Sequence, residues 1–449
     1  MTEILDPAVN SAAPETSAVP ETPAVGEAAA ANEPMALADV DLADLDRFTD
    51  GVTPWRMFHT LRHEDPVHWQ PEEAPNSGFW AVTRHADIAR VDRDAETFTS
   101  TRFVNLEEVD DDQIKKRASI LELDGVRHRA LRSVIQRQFG AGVINSYTDF
   151  LRGLTAKTLD AALAKGRFDF VADVSADFPI NVLARLLDVP PEDNQRLIDW
   201  GNRIIGNTDP DYADVLLHSA ESERYRDLPF RSPASLEVFE YGRDLARKRR
   251  GGTGTDLVST LVNTVPRDGV PLTAQDFDNY FLLLVVAGNE TTRHTITHSM
   301  LALLQHPEQL ARLRDDPTLI PTAVEEFLRW ASPVYHFRRT ATRDVELGGK
   351  RIREGDKVVM WYASGNRDEE VFGNPYDFDV TRQHNDHVTF GKGSPHLCLG
   401  NLLARTEIRI MFEELIPRLA DIRLVGDVPR VRSNFVNGIK KLPVEVTLA

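Results

Sequence analysis

The 449-residue chain predicts a mainly α-helical fold with small β-sheets, built as a single domain. Long segments carry apolar residues at i, i+3, i+4 and i+7, as a helix with one buried face requires. Alternating apolar and polar runs are short and confined to a few places. From residue 47 to residue 449 no stretch has the composition of a linker, so nothing there divides one domain from another.

The N-terminal stretch is the exception. Residues 1–46 hold ten acidic side chains and no Lys or Arg, in an Ala-, Pro- and Glu-rich run that supplies no packed core. It is predicted to be a disordered tail, with the folded domain over 47–449. It lacks the basic start and long apolar segment of a signal peptide. "TPWRMFHTLRHEDPVHWQ" then reads as an amphipathic helix leading into a strand, and "GFWAVTR" as a second strand. Helices follow in "DGVRHRALRSVIQRQF", "FPINVLARLLDVP", "EDNQRLIDWGNRII", "SLEVFEYGRDLARKRR" and the long "QDFDNYFLLLVVAGNETTRHTITHSMLALLQHP". Gly251 and Gly252 end one of them and Pro307 another. Strand-like alternation returns in "RTATRDVELGGKRI", "KVVMWYA" and "VRSNFVNGIKKLPVEVTL".

Composition excludes several functions. A net charge of −18 argues against nucleic acid as a partner. The longest apolar run, "FLLLVVAG" at 281–288, falls far short of the ~20 residues that span a bilayer, so membrane insertion is not expected. A single cysteine rules out disulfides within the chain and Cys-rich zinc sites, and fits a cytoplasmic protein. "GGTGTD" follows a helix and lacks the Lys of a phosphate loop.

The chemistry is concentrated in a few motifs. Cys398 sits in "FGKGSPHLCLG", where glycines allow a tight loop and close backbone approach, just before the helical "NLLARTEIRIMFEELIPRL". Unpaired amides at that helix start favour a thiolate, a good axial metal ligand. "AGNETT" sets Glu290 and Thr291 directly after an apolar run, so an acid and an alcohol fall where the helix is predicted to be buried all round. Gly288 leaves room beside them, and the Thr291 hydroxyl can bond back to a carbonyl. "EEFLR" puts Glu326 and Arg329 on one helix face, and "PYDFDVTR" supplies Phe378 and Arg382. His128 and Arg132 share a helix face in "GVRHRALR", and Arg338 and Arg339 stand side by side in "FRRTATRD".

In this order the motifs resemble those of the cytochrome P450 superfamily, whose ligand loop reads Phe-x-x-Gly-x-[His/Arg]-x-Cys-x-Gly. Here the loop is one residue longer, at Ser394-Pro395, as in a bacterial subgroup acting on branched lipids and sterols. The resemblance runs from about residue 50 to the C-terminus. It implies haem b as cofactor and Cys398 as the iron ligand, with Phe390 and His396 beside it. His128, Arg132 and Arg339 would hold the propionates, with Arg338 as the neighbouring register for the last. Glu290 and Thr291 would deliver protons on the oxygen-binding face. Glu326, Arg329 and Arg382 would form a buried cluster supporting the ligand loop.

It also implies a monooxygenase inserting one atom of O2 into a C–H bond of a hydrophobic small molecule, with fatty acid, terpenoid and steroid all open. Leu284, Ala287, Val334, Phe435 and Val436 would line the pocket together with residues 102–121, and the long connection 209–233 would lid it. With no flavin or nicotinamide domain legible, electrons are expected from a ferredoxin and its reductase, docking on Lys392, Arg405 and Arg409. A monomer is expected. Two other uses of a thiolate-bound haem compete: oxidation driven directly by peroxide, and haem sensing or carriage without catalysis.

Overall fold

The structure is a computed structural model that describes residues 32–74 and 76–449. Most of the predicted tail, residues 1–31, lies outside them. The remainder of that tail is folded, and the expected boundary at residue 46 moves toward the N-terminus. Leu42 is fully buried, its N–H donates to Gln70 Oε1 at 2.9 Å, and its carbonyl accepts from Asn434 Nδ2 at 3.0 Å. Leu42, Leu45 and Phe48 recur at a spacing of three and pack inward. Asp44 caps the short helix Leu45–Phe48. The acidic composition hid this three-residue apolar rhythm.

Among the described residues three small sheets accompany a helical body. The largest has the order β1-β2-β8-β5-β3, with β1 Val67–Gln70, β2 Phe79–Val82, β3 Phe98–Thr99, β5 His336–Ala341 and β8 Lys357–Trp361. Only the β2–β8 pairing within it is parallel. β4 Arg167–Asp169, β10 Pro443–Leu448 and β9 Leu419–Leu424 form the second, in the order β4-β10-β9. β6 Val345–Leu347 and β7 Lys350–Ile352 make a hairpin whose two turn residues, Gly348 and Gly349, both have positive φ. The strand-like run predicted over 431–448 holds as a strand only at its end, β10. Upstream, Asn437 turns its side chain to the Ala331 carbonyl and the Tyr335 hydroxyl in place of a ladder, leaving isolated bridges.

The helical body is organised on Ala274–Gln305, 32 residues and so about 48 Å long. A reciprocal capping box between Thr273 and Asp276 starts it. Helices Asp177–Leu187, Asn194–Ile205, Ala234–Arg249 and Ile320–Ala331 pack around this central helix. Gly242 permits one of these contacts, since a Cβ there would stand 2.6 Å from the Phe281 ring. The central helix is buried over most of its length, yet Ala287 and Gly288 are exposed. They face a cavity.

Candidate active site

Two chain segments from opposite directions build this cavity. From one side comes the loop 390–400. The Cys398 N–H donates to the Phe390 carbonyl at 2.9 Å and closes it. Gly391 and Gly393 adopt φ of +84° and +66° within it, as close packing demands: a Cβ on Gly391 would stand 3.0 Å from Asp92 Oδ2, and one on Gly393 2.9 Å from Arg93. Ser394 absorbs the extra residue as a turn. Its Oγ accepts the His396 N–H at 3.0 Å and its carbonyl accepts the Leu397 N–H at 3.1 Å. Helix Asn401–Leu415 follows at once, and the Asn401 side chain returns to the Cys398 carbonyl at 2.6 Å.

From the other side comes the middle of the central helix, presenting Leu284, Ala287, Gly288 and Thr291. Thr291 Oγ1 donates to the Ala287 carbonyl at 3.0 Å, and the helix continues through this point. Cys398 and Thr291 thus line one cavity, with about 1640 Å³ of empty space including its mouth. Val104, Ile120, Leu121, Leu183, Val334 and Phe337 are among its other walls, which makes them largely apolar.

Cationic side chains edge this apolar space. Arg132 and Arg339 both line it. Arg339 resolves the register between the paired arginines: it faces the cavity and reaches Asp92 at 3.4 Å, whereas Arg338 turns away to the carbonyls of Glu107 and Asn105. His128 is buried with neither ring nitrogen hydrogen-bonded, and its ring lies 4.1 Å from that of His396. Burial, then the neighbouring His396 and Arg132, pushes His128 down to about 4, so it is neutral near pH 7. His396 also lines the cavity, but its Nε2 is engaged by Asp124 at 3.0 Å.

Glu290 does not line the cavity. It is buried on the far side of the helix, 3.1 Å from Arg293 Nη1 and 3.4 Å from His294 Nε2. His294 Nδ1 accepts the Ile439 N–H at 3.4 Å, which leaves the proton on Nε2, aimed at Glu290. Burial pushes the Glu290 carboxyl up, but Arg293 and His294 outweigh it and hold it below the usual range. Gly201 on helix Asn194–Ile205 makes room, since a Cβ there would stand 2.8 Å from Glu290 Oε1. The neighbouring Asn202 anchors Arg293 at 2.7 Å.

Glu326, Arg329 and Arg382 do meet. Glu326 receives Arg329 at 2.6 and 2.7 Å and Arg382 at 3.1 Å, with Glu326 and Arg329 fully buried. Arg329 extends to the carbonyls of Asn366 and Pro375, and the Asn366 side chain grips Val388 N–H at 2.7 Å and Thr389 Oγ1 at 2.9 Å. The cluster therefore reaches the residues just before Phe390.

Several expectations need correction. Phe435 and Val436 do not line the cavity. Phe435 packs behind Phe337 at 5.7 Å between ring centres, and Val436 bridges to Val334 from the rear. No residue of 209–233 lines it either; this segment lies over the 102–117 region through Lys116–Asp227 at 2.8 Å and Arg226–Asp110. Lys392, Arg405 and Arg409 are each already paired, with Asp386, Glu325 and Glu413. The Cys398 thiol is pushed up by burial, against the Gly400 amide and the charges of Arg132 and Arg405, so the helix start alone does not make it a thiolate. Sequence reasoning missed Asp92, whose Oδ2 accepts the Lys392 N–H at 2.9 Å while Oδ1 faces Arg339.

A flat apolar ring with anionic arms, held through its metal by a sulfur, suits this space: Arg132, Arg339 and the partnerless His128 supply donors for carboxylates, and the walls supply the apolar bed. That is the description of haem held by a thiolate. The family model for Cytochrome P450 matches residues 236–420. The methyl-branched lipid omega-hydroxylase of Mycobacterium bovis is 37% identical over 418 residues, covering 91% of this chain and 95% of that protein. The steroid C26-monooxygenase of Mycolicibacterium smegmatis is 36% identical over 399 residues, covering 86% and 89%. Among solved structures, a Mycobacterium marinum cytochrome P450 in complex with pseudoionone superposes with a TM-score of 0.82 at 36% identity, covering 92% of this chain and 98% of that one.

The chain belongs to the cytochrome P450 family and is a haem b-dependent monooxygenase. Among the described residues no helix is long and apolar enough to cross a membrane.

Proposed function

We propose that this P450 hydroxylates a hydrophobic molecule bearing a methyl-branched chain, with electrons from a separate ferredoxin and its reductase. The observation that carries the reading is the one cavity that Cys398 and Thr291 both line, between largely apolar walls. Methyl-branched lipids, steroids and the isoprenoid ketone pseudoionone, named for the relatives above, share branched hydrocarbon that such walls accept.

When bound, the haem supplies dioxygen activation, which thiolate ligation favours. The residues do the rest. Cys398 would hold the haem iron, with the Gly400 amide, Arg132 and Arg405 favouring its thiolate against burial. His128, Arg132 and Arg339 would hold the propionates, and Asp92 fixes Arg339. Thr291 offers its hydroxyl to the cavity, while Glu290 holds an exchangeable proton site one residue earlier, against Arg293 and His294. For Glu290 to serve the cavity its carboxylate leaves these partners and turns, so proton delivery is gated. Leu397 is exposed beside Cys398, which puts this side of the site close beneath the surface that a redox partner approaches. The cations Lys392, Arg405 and Arg409 act there only in competition with their own carboxylates.

The test is a panel of methyl-branched fatty acids, sterols and acyclic terpenoids, each scored for a shift of the ferric haem to high spin and for hydroxylated product with ferredoxin and reductase. At least one branched compound is expected to give both, and linear isosteres less. No shift and no product across the panel contradicts the substrate assignment.

A further inference from the structure

Among the described residues, one group of three histidine and carboxylate side chains stands close enough to share a cation, and it lies outside the haem cavity. Helix Thr53–Glu64 carries His59 and His63 one turn apart, so both project from one face. Their ring centres are 4.3 Å apart, with 31° between planes. Glu369 approaches from the segment after β8. Each residue offers one ligand atom, and the three atoms lie within 4.8 Å of one another.

The neighbours already orient these groups. His63 Nδ1 is 2.9 Å from the His59 carbonyl, which can only accept, so Nδ1 carries the proton and Nε2 keeps its lone pair. This is the backbone anchoring that metal-bound imidazoles use. Arg62 holds the Glu369 carboxylate at 3.0 and 2.8 Å, and is itself buried against Ser364 and Tyr376. A carboxylate has about four lone-pair sites, so two remain for an ion. His59 Nδ1 is buried without a hydrogen-bond partner.

We propose that His59, His63 and Glu369 form a binding site for a divalent cation of the zinc class. Two imidazoles and one carboxylate select a late first-row ion over calcium or magnesium. Tetrahedral ligands at ~2.0–2.1 Å from one ion stand about 3.4 Å apart, so the group closes by up to about 1.5 Å to bind. His63 and Glu369 are both exposed, so the adjustment moves side chains at the surface and not in the core. Arg62 opposes the incoming charge, which keeps the affinity moderate, and water completes the coordination. The ion would tie the first long helix to the 366–370 segment, where Arg367 stacks on Trp55 at 3.6 Å and Asn366 holds the residues before the ligand loop.

The test uses haem-loaded full-length protein without a polyhistidine tag, stripped with a chelator and titrated with zinc(II) by calorimetry. One ion per chain is expected, with at least tenfold weaker binding in His63→Gln and in His59→Gln. Zinc should raise the thermal midpoint of the native protein and not that of His63→Gln, whose side chain is exposed and expendable for folding. Absence of saturable binding, equal affinity in His63→Gln, or zinc-driven loss of the haem spectrum would overturn the site.

Discussion

The ligand-loop side of the cavity and its roof are held by the same kind of bond in opposite settings. Beneath the loop, Glu326 and Arg329 are fully buried, and beyond their own pairing Glu326 accepts from Arg382, Asn385 and the Asp379 N–H while Arg329 donates to backbone carbonyls. Over the roof, residues 209–233 meet residues 102–117 through a mixture: the exposed pairs Lys116–Asp227 and Arg226–Asp110, the more buried Arg231–Glu107 pair, and bonds from Gln113 and Arg117 to the Arg226 carbonyl. A buried pair that loses one partner strands a charge and costs about 3–5 kcal/mol, whereas an exposed pair is worth roughly 0.2–1 kcal/mol. The iron ligand needs one position, and the fully buried Glu326–Arg329 pair supplies it.

The largest expected effect comes from breaking the buried side. Arg329→Ala leaves Glu326 uncompensated beneath the ligand loop, and should abolish haem-loaded protein, measured as the haem-to-protein absorbance ratio after purification. A near-normal ratio would show that the cluster does not carry the loop. Next comes the central helix between the two regions. Thr291→Ala should lower product formed per reductant consumed by about tenfold or more, with a matching rise in released peroxide, while haem content stays normal.

A smaller effect is set by pH on the ligand-loop side. Burial pushes Glu325 up, but hydrogen bonds from His387 and Arg405 bring it down to about 2, from an ordinary 4.5. A carboxylate depressed in the folded state stabilises fully above its unfolded value and loses this as pH falls. The urea midpoint should therefore drop between about pH 4.5 and pH 2, and Glu325→Gln should flatten that slope. The smallest effect sharpens the roof. Lys116→Gln removes the bonds to Asp227 and Asp112, and should speed substrate exchange by about 1.4-fold to fivefold at low salt, as about 0.2–1 kcal/mol implies. At high salt, screening should erase the difference between variant and parent. Stopped-flow spin-shift kinetics measure both.

The residues readable in the sequence were those whose chemistry demands a residue type at short spacing. Cys398 with its flanking glycines, Glu290-Thr291, and Glu326 with Arg329 announce themselves within a few positions. The principal helices were legible because their apolar faces repeat. Side chains brought in from far along the chain were not. Asp92 belongs to an unremarkable amphipathic helix, and Gly201 matters only because Glu290 lies against it. The direction of Glu290 was likewise hidden: adjacent residues on a helix point about 100° apart, so Thr291 faces the cavity while Glu290 faces Arg293 and His294. Phe435 and Val436 reach the right neighbourhood but stand behind Val334 and Phe337, a layer that sequence order does not encode.

The account rests on the sulfur of Cys398 as the iron ligand, and one spectrum tests that most directly. The reduced, carbon-monoxide-treated protein should show the strongly red-shifted Soret band of a thiolate-bound haem, and Cys398→Ser should lose it. A native protein without that band, or a serine variant that retains it, would contradict the account.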